Sequence, residues 1–257
     1  MQQVKRTDVI LEYVKKHTHA TIQELVDITS SSSATIRRDV NKLAATGMVY
    51  RYRGGISFGR SINRQPTTAE KQDENLLAKR LIGKVAACYI KEDMTVFLDA
   101  GTTSLEVAKC LVNRPDVTVF TTDLHIACYL SELSTHNVII AGGNIDNCSQ
   151  SVVGHFCDVL LNNIVPDICF CTCSAFDVEY GVTSPTLEKA MLKQKLSELG
   201  KLNILLTDSS KFGFVGTYKV APLSKYDVII TDDEVHDSVV DKLDEIVTLE
   251  RVKLTES

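Results

Sequence analysis

The stretch Ser32-Ser33-Ala34-Thr35-Ile36-Arg37-Arg38-Asp39-Val40 decides how this chain is read. Ile36 and Val40, followed by Leu43, fall on one face of a helix and mark its buried stripe. Ser32, Ser33, Thr35, Arg37 and Arg38 crowd the N-terminal end of the same helix. That combination suits the DNA major groove. Hydroxyls and a helix N-terminus hold phosphates, and an arginine binds guanine O6 and N7 with two parallel bonds. Which arginine reads a base and which a phosphate is left open. Asp39 repels phosphate, so it is expected to orient a neighbouring arginine rather than touch DNA.

The flanking residues supply the rest of a small domain. Val9, Ile10, Tyr13 and Val14 form the apolar stripe of a first helix that ends near Lys16-His17. Thr21, with Glu24 three residues on, is a capping box for a second helix whose Leu25, Val26 and Ile28 point inward. The serine run at 30–33 breaks it, and Gly47 stops the third helix. Met48 to Arg53 alternates like a strand, Gly54-Gly55 turns, and Ile56-Ser57-Phe58 pairs back. Three helices and a hairpin over residues 1–58 predict a winged helix-turn-helix, its wing offering Arg51 and Arg53 to the DNA backbone or minor groove. Charge agrees: residues 1–60 carry ten Lys/Arg and five Asp/Glu, leaving −10 on the remainder of a chain whose net charge is −5. A basic head on an acidic body fits a nucleic-acid module joined to a domain that binds something else.

Residues 59–75 are polar and read as a linker. From Leu76 onward, helical segments separate short apolar strands at 94–98, 117–121, 137–141, 168–173, 202–207 and 226–231, which predicts an α/β domain over 76–257 with a largely parallel, doubly wound sheet. In such sheets ligands bind beyond the carboxyl ends of the strands. The candidates there are Asp99, Gly101, Thr102 and Thr103; Thr121, Thr122 and Asp123; Gly142 and Gly143; and Ser210 and Lys211. Hydroxyls, amides and a lysine hold a phosphate, and carboxylates hold sugar hydroxyls. The complement is a small sugar phosphate. The eight cysteines lack a Cys-x-x-Cys pair and read as reduced core thiols. His125, His136 and His155 lack ligand spacing, and Met191 reads as helix packing. No metal, cofactor or catalytic residue is expected. With no apolar run near ~18 residues and no secretory leader pattern, a cytoplasmic protein without a membrane partner is expected.

In the 32–40 stretch, in Arg6 and in Gly54-Gly55, the sequence resembles the DeoR family of bacterial transcriptional regulators, and the resemblance runs over nearly the whole chain. It implies a C-terminal domain similar to ribose-5-phosphate isomerase that senses phosphorylated sugars or polyols. Glu188 and Lys193 fall where many members carry Glu and Lys, and Glu188 joins the expected effector site. Two segments depart from the family pattern, Thr121-Thr122-Asp123 and Ser174-Ala175-Phe176-Asp177, and both bear on ligand choice. The expected protein is a homo-oligomeric repressor, dimer or tetramer, of a sugar or polyol operon, released from operator DNA by a phosphorylated sugar. A transcriptional activator stays open as an alternative. So does a sugar-phosphate isomerase-like enzyme using Asp99, Asp123 and Lys211 for acid–base chemistry, although an isomerase has no need of the N-terminal module.

Overall fold

The computed structural model describes residues 3–17, 19–45, 49–52, 55–58, 61–62, 64–114, 116–235 and 237–254. The chain divides into two compact units, 1–61 and 62–257.

The first unit runs α1 (Gln3–His17), β1 (His19–Thr21), α2 (Ile22–Thr29), α3 (Ser33–Ala45), β2 (Tyr50–Tyr52) and β3 (Gly55–Ser57), and β4 (Ser61–Ile62) falls at the boundary. The Thr21 hydroxyl accepts the Glu24 amide at 3.1 Å while the Glu24 carboxylate accepts the Thr21 amide at 2.7 Å, so the expected capping box starts α2. Ser30, left-handed at φ 48°, ends it. Two features differ from the sequence reading. β1 exists, because Ala20 is apolar enough to join the core and its neighbours pair antiparallel with β3, giving the sheet order β1-β3-β2. Ile28 is exposed, and Thr29 turns inward by bonding its own hydroxyl to the Leu25 carbonyl at 2.5 Å. Ile10, Val14, Leu25, Ile36, Val40, Leu43, Val49 and Ile56 close the small core.

The second unit runs α4 (Thr68–Gln72), α5 (Leu76–Ala87), β5 (Thr95–Leu98), α6 (Thr102–Leu111), β6 (Thr118–Thr121), α7 (Leu124–Leu133) and β7 (Asn137–Ile140), then the hairpin β8 (Asn144–Asp146) and β9 (Ser151–Val153). It continues with α8 (His155–Leu161), β10 (Ile168–Thr172), β11 (Ala175–Asp177), β12 (Gly181–Ser184), α9 (Leu187–Leu196), β13 (Leu202–Leu206), β14 (Val215–Gly216) and β15 (Tyr218–Ala221). β16 (Val228–Asp232), α10 (Asp237–Asp244) and β17 (Thr248–Val252) complete it. Seven strands form one parallel sheet in the order β17-β16-β13-β10-β5-β6-β7. The strands are apolar on both faces because both faces are covered. Val96, Leu98, Ile168, Phe170, Ile204 and Leu206 pack with α5, α6 and α7. Their alternates Phe97, Cys169, Cys171, Leu205 and Ile229 pack with residues of α8, α9 and α10. The chain lays β5, β6 and β7 outward in one direction, then returns to β10 on the other side of β5. The switch point therefore lies between β5 and β10, where a parallel sheet opens its crevice.

Gly83 lets α5 lie directly on α6. A Cβ there would stand 2.8 Å from the Glu106 carbonyl carbon. Gly83→Ala is expected to lose about 1–3 kcal/mol through overpacking against backbone, despite gaining about 1 kcal/mol of helix propensity; a urea midpoint at or above wild type would contradict this.

Cys157, Cys169 and Cys171 are buried as expected, Cys110, Cys148 and Cys173 are half-buried, and Cys88, at the end of α5, and Cys128, on α7, are exposed. Among the described residues no group of three His, Cys, Asp or Glu is placed to hold a metal ion. Among the described residues no helix is long and apolar enough to cross a membrane.

Candidate functional site

Two surfaces carry chemistry, one in each unit. In the first, the Ser32 hydroxyl accepts the Thr35 amide at 3.3 Å and shares a hydrogen with the Thr35 hydroxyl at 2.9 Å, capping α3 from outside. Ile36, Asp39, Val40 and Leu43 are buried, so Ser33, Arg37 and Asn41 form one exposed row and Ala34, Arg38 and Lys42 another. Asp39 does orient an arginine: its carboxylate pairs with the Arg6 guanidinium of α1, and the pair is nearly buried. Asp39 holds the guanidinium's pKa above its ordinary value by this bond. The link ties α1 to α3. Arg51 of β2 is exposed and donates to Asn41 Oδ1 at 2.6 Å, which brings the wing and α3 together. Arg53, the other expected wing contact, lies outside the described residues.

In the second unit a cleft opens at the carboxyl ends of β5, β10 and β13, at the switch point. It has about 600 Å³ of empty space, the open solvent at its mouth included. Gly101, Thr102 and Thr103 line it from the start of α6, and Thr172, Cys173 and Ser174 from the end of β10. Five lysines face it: Lys71, Lys79, Lys189, Lys193 and Lys211. Lys193 of α9 is ion-paired to the buried Asp99 and donates to the Thr172 carbonyl at 2.9 Å. Lys189, one turn earlier, meets Ser151 and stands 3.7 Å from Asp146. Lys211 is 3.9 Å from Glu74, and Lys79 donates to the Lys71 carbonyl. Asp208, bound by Asn75 Nδ2 at 2.9 Å, is the only carboxylate among the lining residues described. Burial lowers the pKa of Lys79 and of Lys189, and burial with the charges of Lys193, Lys211 and Lys189 lowers that of Lys71 to about 8. Burial holds the Cys173 thiol at about 11, so it stays protonated and inert.

Of the expected effector residues, the fold brings Gly101, Thr102, Thr103 and Lys211 to the cleft, with Asp99 directly behind it as the partner of Lys193. The others lie elsewhere. Asp123 is buried as the N-cap of α7, accepting from His125 and Ile126 amides and from the Gly101 amide at 3.1 Å. Its burial raises its pKa. Thr121 is spent on the Leu98 carbonyl at 2.7 Å, and Thr122 is fully buried beside it. Gly142 and Gly143 are exposed; Gly143, at φ +146°, is required by a close approach in which a Cβ would meet the Val153 carbonyl at 2.4 Å. Glu188 faces solvent at the start of α9, and Met191 is exposed, not packed. Ser210 turns onto Asp208 and Asn75. Lys71, Lys79 and Lys189 were not singled out in the sequence, and Lys193 only through the family resemblance; the signal present was that Lys189 and Lys193 are spaced i, i+4 and so share one face of a helix.

The family profile described as a DeoR-like helix-turn-helix domain matches residues 6–61, and that of the DeoR C terminal sensor domain matches 74–233. An uncharacterised HTH-type transcriptional regulator of Haemophilus influenzae is 38% identical over 231 residues, 89% of each chain. This chain belongs to the DeoR family of transcriptional regulators. The HTH-type transcriptional regulator GlpR of Haloferax volcanii is 31% identical, over 90% of this chain and 91% of its own. A protein of Escherichia coli O157:H7 with the provisional name of aga operon transcriptional repressor is 29% identical, over 89% and 86%. Ribose 5-phosphate isomerase A of Methanocaldococcus jannaschii superposes with a TM-score of 0.40 at 15% identity over 55% of each chain. In this DeoR-family regulator the helix-turn-helix match takes in all of α3, and the sensor match takes in every cleft residue except Gln65 and Lys71.

Proposed function

We propose that this regulator is a repressor of a sugar or polyol operon, and that a small phosphorylated sugar or polyol entering the cleft releases it from its operator. One observation carries the reading. Five lysines converge on a crevice at the sheet's switch point, beside the N-terminus of α6, in a chain whose other unit presents a basic helix. The arrangement suits a phosphate dianion. Lys71, Lys189, Lys193 and Lys211 with the Gly101–Thr103 turn hold the anion, and Asp208, Thr172 and Thr207 hold hydroxyls. Ser32, Ser33, Thr35, Arg37 and Arg38, with the wing at Arg51 and Arg53, hold DNA. Binding as a homo-oligomer places two α3 helices on successive half-sites. A ligand that prefers the DNA-free arrangement releases the operator by population shift. The test is fluorescence anisotropy on an operator selected by the protein from a random DNA pool, titrated with phosphorylated sugars, phosphorylated polyols and their unphosphorylated forms. Release by a phosphorylated compound alone supports the reading, and no release by any of them sinks it.

The lysines fix a pH dependence with two opposite signs. Anion binding selects the charged ammonium, so affinity is expected to fall as pH rises through about 8, where Lys71 loses its proton. Below about 6 the ligand's own second phosphate ionisation is lost, so binding is strongest between those limits. For the free protein the direction reverses. Unfolded Lys71 keeps its proton to the ordinary 10.5 while folded Lys71 keeps it only to about 8. Between those values the unfolded chain binds more protons, and stability rises with pH. Lys79 and Lys189 add in the same direction. Thermal melts from pH 6 to 10, with and without ligand, are expected to converge as pH increases; a constant gap contradicts the lysine assignment.

A further inference from the structure

The residues between β4 and α5 were expected to be a linker, yet they form a wall of the cleft. α4 is closed by its own capping box, Thr67 with Glu70, and by the Arg64 guanidinium on both Glu70 oxygens at 3.2 and 2.8 Å. Its seat is polar throughout. The Thr68 amide donates to the Cys148 carbonyl at 3.0 Å, Cys148 Sγ donates to the Gln65 carbonyl at 3.2 Å, and Ser174 Oγ donates to Gln65 Oε1 at 3.4 Å. No side chain of α4 is fully buried, Thr68 and Lys71 being half-buried, and α4 carries no large apolar residue to hold it down. A segment held only by a few hydrogen bonds opens at low cost.

Lys71 is the exception among the cleft lysines. Lys79, Lys189, Lys193 and Lys211 each have a hydrogen-bond or ion-pair partner, while the Lys71 ammonium has none among the described residues. It lines the cleft facing Lys189, Lys193 and Lys211. Without an anion, those like charges repel the Lys71 ammonium and work against the hydrogen bonds that seat α4, including that from Lys79 to the Lys71 carbonyl. With an anion between them, Lys71 becomes the donor that pulls it on. We propose that α4 is a strap fastened over the cleft by the effector anion itself, through Lys71. This rests on the cleft being the effector site. Because 64–72 follows the DNA-binding unit in the chain, a segment fastened with ligand and loose without it is a two-state element able to carry the signal. Coupling through such an element is reciprocal, so DNA and effector each change the other's affinity by the same factor.

The test is hydrogen–deuterium exchange on the full chain, with inorganic phosphate against chloride at equal ionic strength. In wild type, saturating phosphate is expected to slow the amides of 68–72 about tenfold, the worth of one charge-assisted bond, together with those of 101–104. Lys71→Met removes an unpartnered charge and breaks no contact seen in the fold. At phosphate raised until 101–104 is equally protected, the slowing at 68–72 is expected to vanish, and Lys71→Arg to restore it. Equal slowing at 68–72 in Lys71→Met overturns the strap and leaves the cleft reading standing. Protection of 101–104 in wild type without any change at 68–72 does the same. No phosphate response in either protein overturns the cleft reading and the strap with it.

Discussion

Arg37→Ala is expected to abolish specific operator binding while leaving the fold untouched. Arg37 sits one turn into α3 on the exposed row with Ser33 and Asn41, and no hydrogen bond or ion pair within the described residues holds it. A bidentate arginine–guanine contact is worth about 1–3 kcal/mol. In a two-fold symmetric complex the loss counts twice, about 2–6 kcal/mol, or roughly 30-fold to 10⁴-fold in affinity. Because the side chain is exposed, the melting temperature should not move by more than about 0.5 kcal/mol of stability would produce. Comparison with Arg38→Ala assigns the roles. Loss of a base contact weakens selected DNA and spares random DNA. Loss of a phosphate contact weakens both alike and lowers the salt slope by about 1 per subunit. Unchanged operator affinity in Arg37→Ala removes α3 as the reading helix.

How much of this was legible from sequence depends on how local the deciding interactions are. The Thr21–Glu24 capping box, the apolar stripe of α3 and the span of α7 were all readable, because each is set by residues within a turn or two of one another. The role of Asp39 was readable, but its partner was not: Arg6 lies 33 residues away and reaches it only once α1 packs. The strand-end segments were harder. Asp123 and Thr121 have the composition of an anion site because helix amides and ligand phosphates accept the same side chains. Nothing in the sequence says which of the two a given Asp will serve. Here Asp123 caps α7 and fixes the Gly101 amide, so it builds the cleft wall from behind.

Lys71, Lys79 and Lys189 were missed, and Lys193 was noticed only through the family resemblance, for the opposite reason. α9 departs from the usual rule: Leu187 and Met191 are exposed while Lys189 and Lys193 are buried alongside Ala190, Leu192 and Leu196. An amphipathic reading assigns every apolar residue to the core, which is right for Leu192 and Leu196 but wrong for Leu187 and Met191, and it leaves no place inside for the lysines. Charges point inward on a helix only where something inside compensates them, here Asp99, Asp146 and Ser151. Lys71 was hidden by composition, since a polar stretch around Pro66 reads as a linker whether or not it folds onto a neighbour.

Lys193→Met tests that departure most directly, and it is expected to cost about 3–5 kcal/mol, the usual penalty for stripping one partner from a buried pair. Asp99 is 1% exposed. One of its oxygens bonds Lys193 and the Thr172 amide and hydroxyl, each of the latter two at 2.9 Å, and the other has no partner among the described residues. Methionine fills the space of the lysine stem but leaves the carboxylate facing an apolar side chain. If the cost is electrostatic, Asp99→Asn in the same chain should recover most of it, because removing both charges leaves a neutral amide beside Thr172. If the cost comes from lost packing of α9, the double variant should stay as unstable as Lys193→Met alone. Urea midpoints of the two single variants and the double variant separate these outcomes as a coupling energy. A loss below about 1 kcal/mol in Lys193→Met would mean the pair is hydrated like a surface ion pair, and the cleft floor would then not be the dry, charge-balanced base that an anion site at this switch point requires.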